Sequence, residues 1–599
     1  MRVVTQLQTT IQQVLDDLGL PFSGEIHLEH PADMNHGDYA TNVALILGGE
    51  MKKNPRDLAE QIANQIKTNL ATDKSFIFKI EIAGAGFINF TLSDAFLVSE
   101  MSSIIKNKAI DPQQKNKGKK AVVEYSSPNI AKPFTIGHLR STIIGDAIAN
   151  LLEATGYEVY KDNHLGDWGT QFGKQIYALK NLGAGSLEKN IEIISASSNP
   201  VKELVKLYVE FHDQAENKPE LEDAAREWFK KLEDGDKEAR ELWQKCIAWS
   251  WQEFEGIYEK LNIKFTENEG RGYGESYFED KMDEVIEELE SQGGKHGVIE
   301  YQEGEQGAKL VHFTEKSKLP PMMIVKSDGA TLYVTRDLAT DKWRLKEKYG
   351  QDTLIINEVG AEQSLHFKQL FVIEKALGWV RDGQRVHVGH GLYRFKDGKM
   401  STRKGNVIWL EEVLEEAEKR VLKLTNDQRQ MDAGSIQKIA FGALKWSDLK
   451  RNARLDVTFD WDAIMTMRGN SGPYLQYTFV RCNSILEKAK NLSSAKPFDI
   501  LNLSLMEGKS QITPSERDLL RNLYTYFEVV EKAALEYAPH HLTTYLFNLA
   551  QSFNKFYGVS QVIGSEPEIL QLRLGLVRAT AQILKKGLGV LGIEVVEKM

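Results

Sequence analysis

The sequence predicts an α/β protein with a doubly wound parallel sheet in the middle of the chain, a small α/β module before it and a helix bundle after it. The central prediction rests on an apolar strand, Ala121–Tyr125, which leads through a proline-containing loop into a helical pattern over Ser141–Leu152. Strand-like and helix-like segments then alternate, as they do in parallel sheets. Beyond about residue 456 the pattern is helical, which favours a bundle.

Length and composition bound the class of protein. A chain of 599 residues is too long for one core, so two to four domains are expected. Hydrophobic residues at 42% and charged residues at 27% are ordinary for a globular protein, and no apolar run approaches the roughly 20 residues of a membrane helix. The first residues lack the apolar core of a signal peptide, so we expect a cytoplasmic protein without a membrane partner.

Cysteine usage and net charge narrow the class further. Only Cys246 and Cys482 occur, without CxxC spacing, which argues against a disulfide framework and against a structural zinc, so no metal ligands are predicted. A net charge of −10 is by itself unfavourable for nucleic-acid binding. A large acidic protein can still present local Lys and Arg clusters to RNA, so an RNA partner is not excluded.

The amino-terminal module is predicted over residues 1–112. Helical patterns cover Val3–Leu18 and Pro55–Leu70, and strand-like patterns cover Ser75–Ile82 and Gly86–Leu92. The segment His36–Asn42 separates its early part from an apolar helical run, and taken alone indicates little. A polar, basic stretch at residues 113–120 reads as a linker and marks a domain boundary.

The loop after the first central strand carries the chemistry. Pro128 and Pro133 keep it out of helical conformation until Gly137, where the missing side chain lets a ligand approach the backbone. His138 is predicted at the helix start, where free N–H groups and the dipole favour phosphate, with Lys132 as a second donor. The pattern indicates a nucleoside triphosphate site without a P-loop.

Further elements are predicted along the central part. Tyr157–Asn163 is read as a second strand, and a glycine-punctuated loop follows it at His164–Gly173, where α/β sheets place ligands. A charged helical region is expected over about residues 181–264. The remaining strands are predicted at Met323–Lys326, Leu332–Val334, Thr353–Val359 and Arg385–Gly389. After residue 456, a helix is expected to open at Gly469–Tyr477, with further helices over Ser515–Leu535, His540–Tyr557 and Gln571–Leu591.

Two segments in this order resemble one enzyme family. Ser126–Thr142 resembles the HIGH signature of class I aminoacyl-tRNA synthetases in its longer arginyl form, and Lys399–Asn406 resembles the KMSKS loop of the same family. The chain is thereby identified as a member of the bacterial-type arginyl-tRNA synthetase family. The resemblance implies a Rossmann-like catalytic domain over 118–455 with a connective insert at about 181–264. It also implies an amino-terminal tRNA-binding domain and an anticodon-binding bundle over 456–599.

The resemblance implies arginine–tRNA ligase activity with ATP and Mg²⁺, L-arginine and arginine tRNA as partners, and a monomer. The implied catalytic residues are Lys132, His138, Lys399, Ser401 and Lys404. The implied ATP contacts are Pro128, Asn129, Lys132, Thr135, Ile136, Gly137 and His138. Two residues depart from the class pattern, since Thr135 replaces the first histidine of HIGH and Thr402 replaces the second lysine of KMSKS.

A guanidinium is a planar fork of five donors, so its site should contain one or two carboxylates. The motif positions assign Asp337 and Glu275 to that fork, with Tyr333 beside them as a stacking wall or hydroxyl partner. Ser127, Asn129 and Gln363 are assigned to the amino and carboxylate groups of arginine.

In the amino-terminal module the resemblance implies tRNA contacts by Phe87 and Asn89. A ring that stacks on a base and a ring that belongs to the core are equally compatible with Phe87. A cysteinyl-type synthetase is the runner-up, although it needs a zinc-held thiolate pocket that two distant cysteines cannot build. A non-catalytic tRNA-binding paralogue is disfavoured because Lys132, His138 and Lys399 are intact.

Overall fold

The computed structural model of the chain describes residues 3–31, 33–70, 76–106, 115–292, 298–304, 307–327, 331–395, 408–424, 431–490 and 512–599. The chain divides into two compact units. The first consists of Met1–Asp111, Arg481–Phe527 and Asn548–Leu584, and the second of Pro112–Val480, Glu528–Phe547 and Lys585–Met599.

The amino-terminal part of the first unit is a small α/β structure. Its helices are α1 (Val3–Asp17), α2 (Val43–Met51), α3 (Pro55–Leu70) and α4 (Asp94–Ile105). Its antiparallel sheet, in the order β1-β3-β2, contains β1 (Tyr39–Thr41), β2 (Ile77–Ala83) and β3 (Phe87–Leu92). Alternate residues of β3, Ile88 and Phe90, are fully buried, because successive strand residues point to opposite faces. The predicted helices and strands of this module are confirmed to within about two residues.

The second unit is built on a four-stranded parallel sheet in the order β10-β9-β4-β5. Its strands are β4 (Lys120–Glu124), β5 (Glu158–Asp162), β9 (Leu354–Gly360) and β10 (Arg385–His390). The central strand β4 is apolar because both of its faces are covered, and Ala121, Val122 and Val123 are completely buried. Helices α5 (Ile136–Ala154), α12 (Tyr333–Trp343) and α13 (Ser364–Ala376) accompany the strands. All four strands end at one edge of the sheet.

Two predicted strands of the parallel sheet are wrong. Residues 322–325 form β8 (Met322–Val325) of a separate antiparallel sheet, together with β6 (Ile299–Glu303) and β7 (Lys309–Phe313). Residues 332–334 instead open helix α12, where Val334 and Leu338 are buried four residues apart. Three apolar residues are too few to distinguish a strand from the first turn of a helix.

The expected helical insert is present between β5 and β6. It contains α6 (Gln171–Asn181), α7 (Leu187–Ala196), α8 (Pro200–Ala215), α9 (Glu220–Glu233) and α10 (Lys237–Lys260), and α11 (Met282–Gln292) follows it. In α8 the buried residues Val201, Leu204, Leu207 and Phe211 are three or four apart, so one face packs inward while the charged face meets water.

The carboxyl-terminal third is helical, as predicted. Before it come β11 (Tyr393–Arg394), β12 (Val457–Thr458), α14 (Leu410–Leu424), α15 (Ala433–Leu449) and α16 (Trp461–Met465). The later helices are α17 (Gly472–Lys490), α18 (Pro514–Tyr524), α19 (Tyr526–Leu535), α20 (Pro539–Val559) and α21 (Pro567–Val590). The amphipathic stretch predicted over Ser515–Leu535 is formed by two helices, α18 and α19. Over the described residues, no helix combines the length and apolar character needed to cross a membrane.

A network of buried charges lies beneath the carboxyl edge of the parallel sheet. Glu124 and Asp162, the last residues of β4 and β5, contact the Arg344 guanidinium at 2.7 and 2.5 Å. Asp341 joins Arg344 at 3.3 Å and also pairs with Arg385. The three nearby carboxylates raise the pKa of Arg344 although burial alone would lower it. The network ties strands β4 and β5 to the end of α12.

At Gly145, helix α5 packs directly against Tyr125, the residue that follows β4. A Cβ added at Gly145 would lie 2.2 Å from the Cβ of Tyr125, which is itself fully buried. We expect Gly145→Ala to destabilise the protein by about 1–3 kcal/mol, because a packed core has no room for the methyl group. Urea unfolding measures this. The matched control is Gly256→Ala in α10, where nothing lies within 4 Å and about 0.5–1 kcal/mol of stabilisation is expected. Equal effects at both glycines would contradict the packing argument.

Candidate active site

The loop between β4 and α5 is held in an unusual backbone conformation. Ser126, Ser127 and Ala131 have φ values of 72°, 43° and 57°, in the left-handed region that residues with a Cβ rarely adopt. Hydrogen bonds hold these residues in place, since the Ser127 N–H donates to Asn163 Oδ1 at 3.0 Å and the Ala131 N–H donates to Ser250 Oγ at 2.9 Å. Backbone strain that the surroundings enforce in this way is concentrated at functional sites.

The loop ends in the helix start that the sequence predicts. Thr135 is the N-cap of α5, and its hydroxyl accepts the Gly137 N–H at 3.2 Å. The Thr135 N–H in turn donates to Nδ1 of His138 at 3.0 Å, so the proton of a neutral imidazole is on Nε2. Burial lowers the pKa of His138 to about 4, and His390 and Lys132 act in the same direction. His138 is therefore an uncharged donor at neutral pH.

Thr135 thus caps the helix and orients His138, which gives the residue that replaces the first HIGH histidine a structural role. We expect Thr135→Val to lower stability by about 1 kcal/mol, because the valine cannot accept the Gly137 N–H. Thr135→Ser keeps the hydroxyl and is the control. The midpoint of urea unfolding measures both. A valine variant as stable as the serine variant would show that the cap contributes nothing.

Lys132, Pro128 and Asn129 lie in the same loop. Lys132 is half-buried and makes no hydrogen bond or ion pair with another described residue. Burial lowers its pKa, and the carboxylate of Glu275 opposes that effect. Pro128 and Asn129 are joined to the loop after β5, because the Pro128 carbonyl accepts the Gly166 N–H at 3.2 Å and Asn129 forms a β-bridge with Gly166. The loop that carries Lys132 is therefore anchored to the loop after β5.

The second signature loop falls outside the described residues, and so do Lys399, Ser401 and Lys404. The chain that follows it is described, and it returns to the start of α5. The Ile136 N–H donates to the Ile408 carbonyl at 3.1 Å, and the Leu410 N–H donates to the Phe134 carbonyl at 2.9 Å. The two signatures are thus connected through the backbone next to them.

Asp337, assigned from the sequence to the guanidinium, lies between two histidines. His366 Nε2 is 2.6 Å from Asp337 Oδ2, and His164 Nε2 is 4.0 Å from Asp337 Oδ1. The pKa values of both histidines are raised, because burial, which lowers them, is outweighed by neighbouring carboxylates that include Asp337. Both histidines follow strands of the parallel sheet, His164 two residues after the end of β5 and His366 six residues after the end of β9. This position after a strand is the sequence signal that could have indicated them.

Glu275, the second assigned carboxylate, forms an ion pair with Arg336, a residue that the sequence analysis did not assign to the site. Arg336 Nη1 contacts Glu275 Oε2 at 3.1 Å, and both side chains are almost buried. Burial raises the pKa of Glu275 to about 7, with His164 and Arg336 opposing and Asp337 reinforcing the rise. Glu275 therefore titrates near neutral pH, beside Asp337.

The backbone around Glu275 is fixed by the loop after β5. Asp167 accepts the Ser276 N–H at 2.8 Å and the Ser276 hydroxyl at 2.7 Å, and the Glu275 N–H donates to the Leu165 carbonyl at 3.0 Å. A Cβ at Gly274 would lie 2.4 Å from the Asp167 carboxylate, so this approach depends on glycine.

The remaining assigned residues surround this cluster to different degrees. Tyr333 is 61% exposed, and the Arg336 guanidinium is 5.3 Å from its ring centroid. The Ser127 hydroxyl is buried without a hydrogen-bond partner among the described residues, so it is free to bind a ligand. Gln363 is exposed between β9 and α13. Cys246 and Cys482 are buried free thiols, and no three His, Cys, Asp or Glu side chains of the described ranges form a metal-binding group.

Phe87 and Asn89 belong to the first unit and lie on one face of β3. Phe87 is half-buried, whereas the Asn89 side chain is only 6% exposed. Asn89 pairs with Glu81 on one neighbouring strand and Ala40 on the other. Phe87 is thus closer to solvent than Asn89.

Comparison with known families covers nearly the whole chain. Residues 5–92 match "Arginyl tRNA synthetase N terminal domain", residues 100–461 match "tRNA synthetases class I (R), catalytic domain", and residues 475–599 match "DALR anticodon binding domain". An arginine–tRNA ligase of Fusobacterium nucleatum is 38% identical over 572 residues, 94% of each chain. One from Clostridioides difficile is 38% identical over 587 residues, 96% of each chain.

Solved structures show the same fold. Arginyl-tRNA synthetase from Plasmodium falciparum has a TM-score of 0.80 at 23% identity over 99% of both chains, and that from Thermus thermophilus has 0.78 at 22% over 100% of both. The match over residues 100–461 makes the chain a class I aminoacyl-tRNA synthetase. The predicted fold class is confirmed. The chain belongs to the arginyl-tRNA synthetase family.

Proposed function

We propose that this protein joins L-arginine to arginine tRNA through an arginyl-adenylate, consuming the magnesium complex of ATP and releasing AMP and pyrophosphate. The observation that carries the proposal is that the loop before α5 and the segment of Glu275 are both hydrogen-bonded to the loop after β5, through Gly166 and Leu165 respectively. Lys132 and Glu275 influence each other electrostatically, and His164 lies within 4.0 Å of Asp337. The site therefore combines a pocket for a cation with a cradle for phosphate.

On the ATP side, the proposed contacts are the loop and the first turn of α5. Charge builds on the α-phosphate as the arginine carboxylate attacks it, so positioned donors and cations provide most of the catalysis. The positive end of the α5 dipole, the Nε2–H of His138 and the ammonium of Lys132 suit that charge. Lys399, Ser401 and Lys404 are proposed to close from the other side, because the chain after them returns to Ile136.

On the arginine side, Asp337 and Glu275 are proposed to bind the guanidinium. His366 and His164 each face one oxygen of Asp337, which orients the carboxylate. Ser127, with its unpartnered hydroxyl, Asn129 and Gln363 are proposed to bind the amino and carboxylate groups, and Tyr333 to cover the side chain. This places the arginine carboxylate near the α-phosphate, which lowers the entropic cost of attack.

For the RNA partner, we propose three domains over 1–112, 118–455 and 456–599, with the first and last contacting tRNA. Phe87, half-buried on β3, is the better candidate for a base contact, whereas Asn89 would need to become exposed. In this class the 2′-hydroxyl of the terminal adenosine attacks the adenylate. We further propose a cytoplasmic monomer.

The experiment that tests the proposed function supplies purified protein with ATP, each labelled amino acid in turn, and total tRNA. Arginine alone is expected to become acid-precipitable, and only when arginine tRNA is present. Charging of cysteine would support the cysteinyl reading. RNA binding without charging of any amino acid would support a non-catalytic paralogue, and either result would overturn the proposal.

A further inference from the structure

No role was assigned from the sequence to the segment His36–Asn42. It contains a buried carboxylate, Asp38, at a contact between the domain matched by residues 5–92 and the domain matched by residues 475–599. Asp38 immediately precedes β1 and is 1% exposed. Its Oδ2 accepts the Leu92 N–H, at the end of β3, at 2.7 Å. This bond holds the carboxylate at the edge of the small sheet, where it faces α18.

Helix α18 supplies two arginines to this carboxylate. Arg517 Nη2 is 2.9 Å from Asp38 Oδ2, and Arg521 Nε is 3.1 Å from Asp38 Oδ1. One turn further, the Tyr524 hydroxyl is 2.9 Å from the Tyr39 hydroxyl. Positions 517, 521 and 524 share one face of the helix, so the contact runs along two turns of α18.

Further bonds extend the same contact. Arg517 also reaches Asp94 at 3.0 Å and the Leu92 carbonyl at 3.0 Å, and Arg521 donates to the Pro31 carbonyl at 3.4 Å. Asp38 and its partners lie within one compact unit, although residues 5–92 and 475–599 match two different family domains. The structure therefore joins the amino-terminal domain to α18 by charged contacts centred on the buried carboxylate of Asp38.

We infer that Asp38 is a positioning residue that makes the amino-terminal domain and α18 one rigid body, so that two RNA-binding surfaces meet one tRNA at a fixed spacing. This rests on the proposed function. When two binding surfaces are linked rigidly at the right distance, the second contact forms intramolecularly, and affinity for a ligand that spans both exceeds either single affinity. Loosening the contact lowers that gain without changing either surface.

The test uses the full-length protein with Asp38→Asn, which keeps the shape and removes the charge. Binding is measured for arginine tRNA, for the same tRNA without its anticodon arm, and for the isolated anticodon stem-loop. We expect whole tRNA to bind roughly tenfold or more weakly, since the intramolecular advantage is reduced. Both fragments are expected to bind within about twofold of the parent protein, because neither spans the two surfaces.

The matched control is Glu516→Gln in the same helix. Glu516 is 2% exposed and pairs with Arg573 at 2.7 Å, but this pair lies entirely within the helical region. Glu516→Gln is expected to lower the unfolding midpoint while leaving whole-tRNA affinity unchanged. Tyr39→Phe removes only the hydroxyl that contacts Tyr524. It is expected to weaken whole-tRNA binding less than Asp38→Asn does, again without weakening the fragments, and it replaces Asp38→Asn in the test if that variant fails to fold.

The outcomes separate the possibilities. If the fragments weaken as much as whole tRNA, the effect is a local distortion and the positioning role is wrong. If Asp38→Asn and Glu516→Gln behave alike, or whole-tRNA affinity does not change, the inference is also wrong. If the parent protein binds neither whole tRNA nor fragments, it is the proposed function that fails.

Discussion

Replacing Asp337 by asparagine is expected to lower kcat/KM for arginine by roughly 10²–10³-fold, equivalent to about 3–4 kcal/mol of transition-state binding. An asparagine amide can still accept from His366, so the local hydrogen bond survives while the charge that pairs with a guanidinium is lost. KM for ATP is expected to stay the same, because Asp337 is assigned only to arginine. Steady-state charging with one substrate varied at a time measures both.

The matched control for this variant is Asp382→Asn. Asp382 is highly exposed and pairs with Lys375 on the surface, so its loss is expected to leave both KM values unchanged. Parental arginine kinetics in Asp337→Asn would remove Asp337 from the guanidinium site. Equal losses for arginine and ATP would instead indicate a general distortion of the loop.

The affinity for arginine is expected to rise with pH between 6 and 8. Glu275 has a pKa of about 7, so below that value the protonated form predominates, and a neutral carboxyl cannot pair with a guanidinium. A binding group of this kind weakens the observed affinity by about tenfold per pH unit below its pKa and has little effect above it. KM for arginine at pH 6 should therefore be roughly ten times its value at pH 8.

Glu275→Gln separates this titration from the neighbouring histidines. Protonation of His164 and His366 below their raised pKa values also adds positive charge near Asp337, with the same sign of effect. In Glu275→Gln the affinity should be low at every pH and the slope shallower. A full slope in that variant would assign the titration to the histidines.

The sequence predicted best where several physical requirements coincide in a few neighbouring residues. An apolar strand, two prolines and a glycine all favour the same strand, loop and helix, and α5 begins at Ile136, two residues before His138, where the helix start was predicted. Leu332–Val334 shows the converse, because a three-residue apolar run has no period and its helical state depends on the burial of Val334 and Leu338. The strands Ile299–Glu303 and Lys309–Phe313 are largely half-exposed and lack a strong alternation, so they were not predicted.

The site was predictable only as far as chemistry follows from single residues. A substrate guanidinium calls for carboxylates, which indicates Asp337 and Glu275, but their partners come from distant parts of the chain. His366 is 29 residues from Asp337, and Arg336 is 61 residues from Glu275. Neither contact can be inferred without the sheet that brings the strand ends together. The positive φ values at Ser126 and Ser127 are likewise imposed by the fold, since serine has no preference for them.

The buried network of Glu124, Asp162, Arg344, Asp341 and Arg385 has a consequence for how this enzyme can diverge or be engineered. Removing one member breaks charged contacts in a dry interior and leaves its partners without them, whereas replacing a whole set by apolar residues of similar volume is often tolerated. Libraries that vary one codon at a time should therefore recover almost only the parental residue at each of these positions. Paired or triple libraries should recover new combinations, so these residues are expected to change together between lineages.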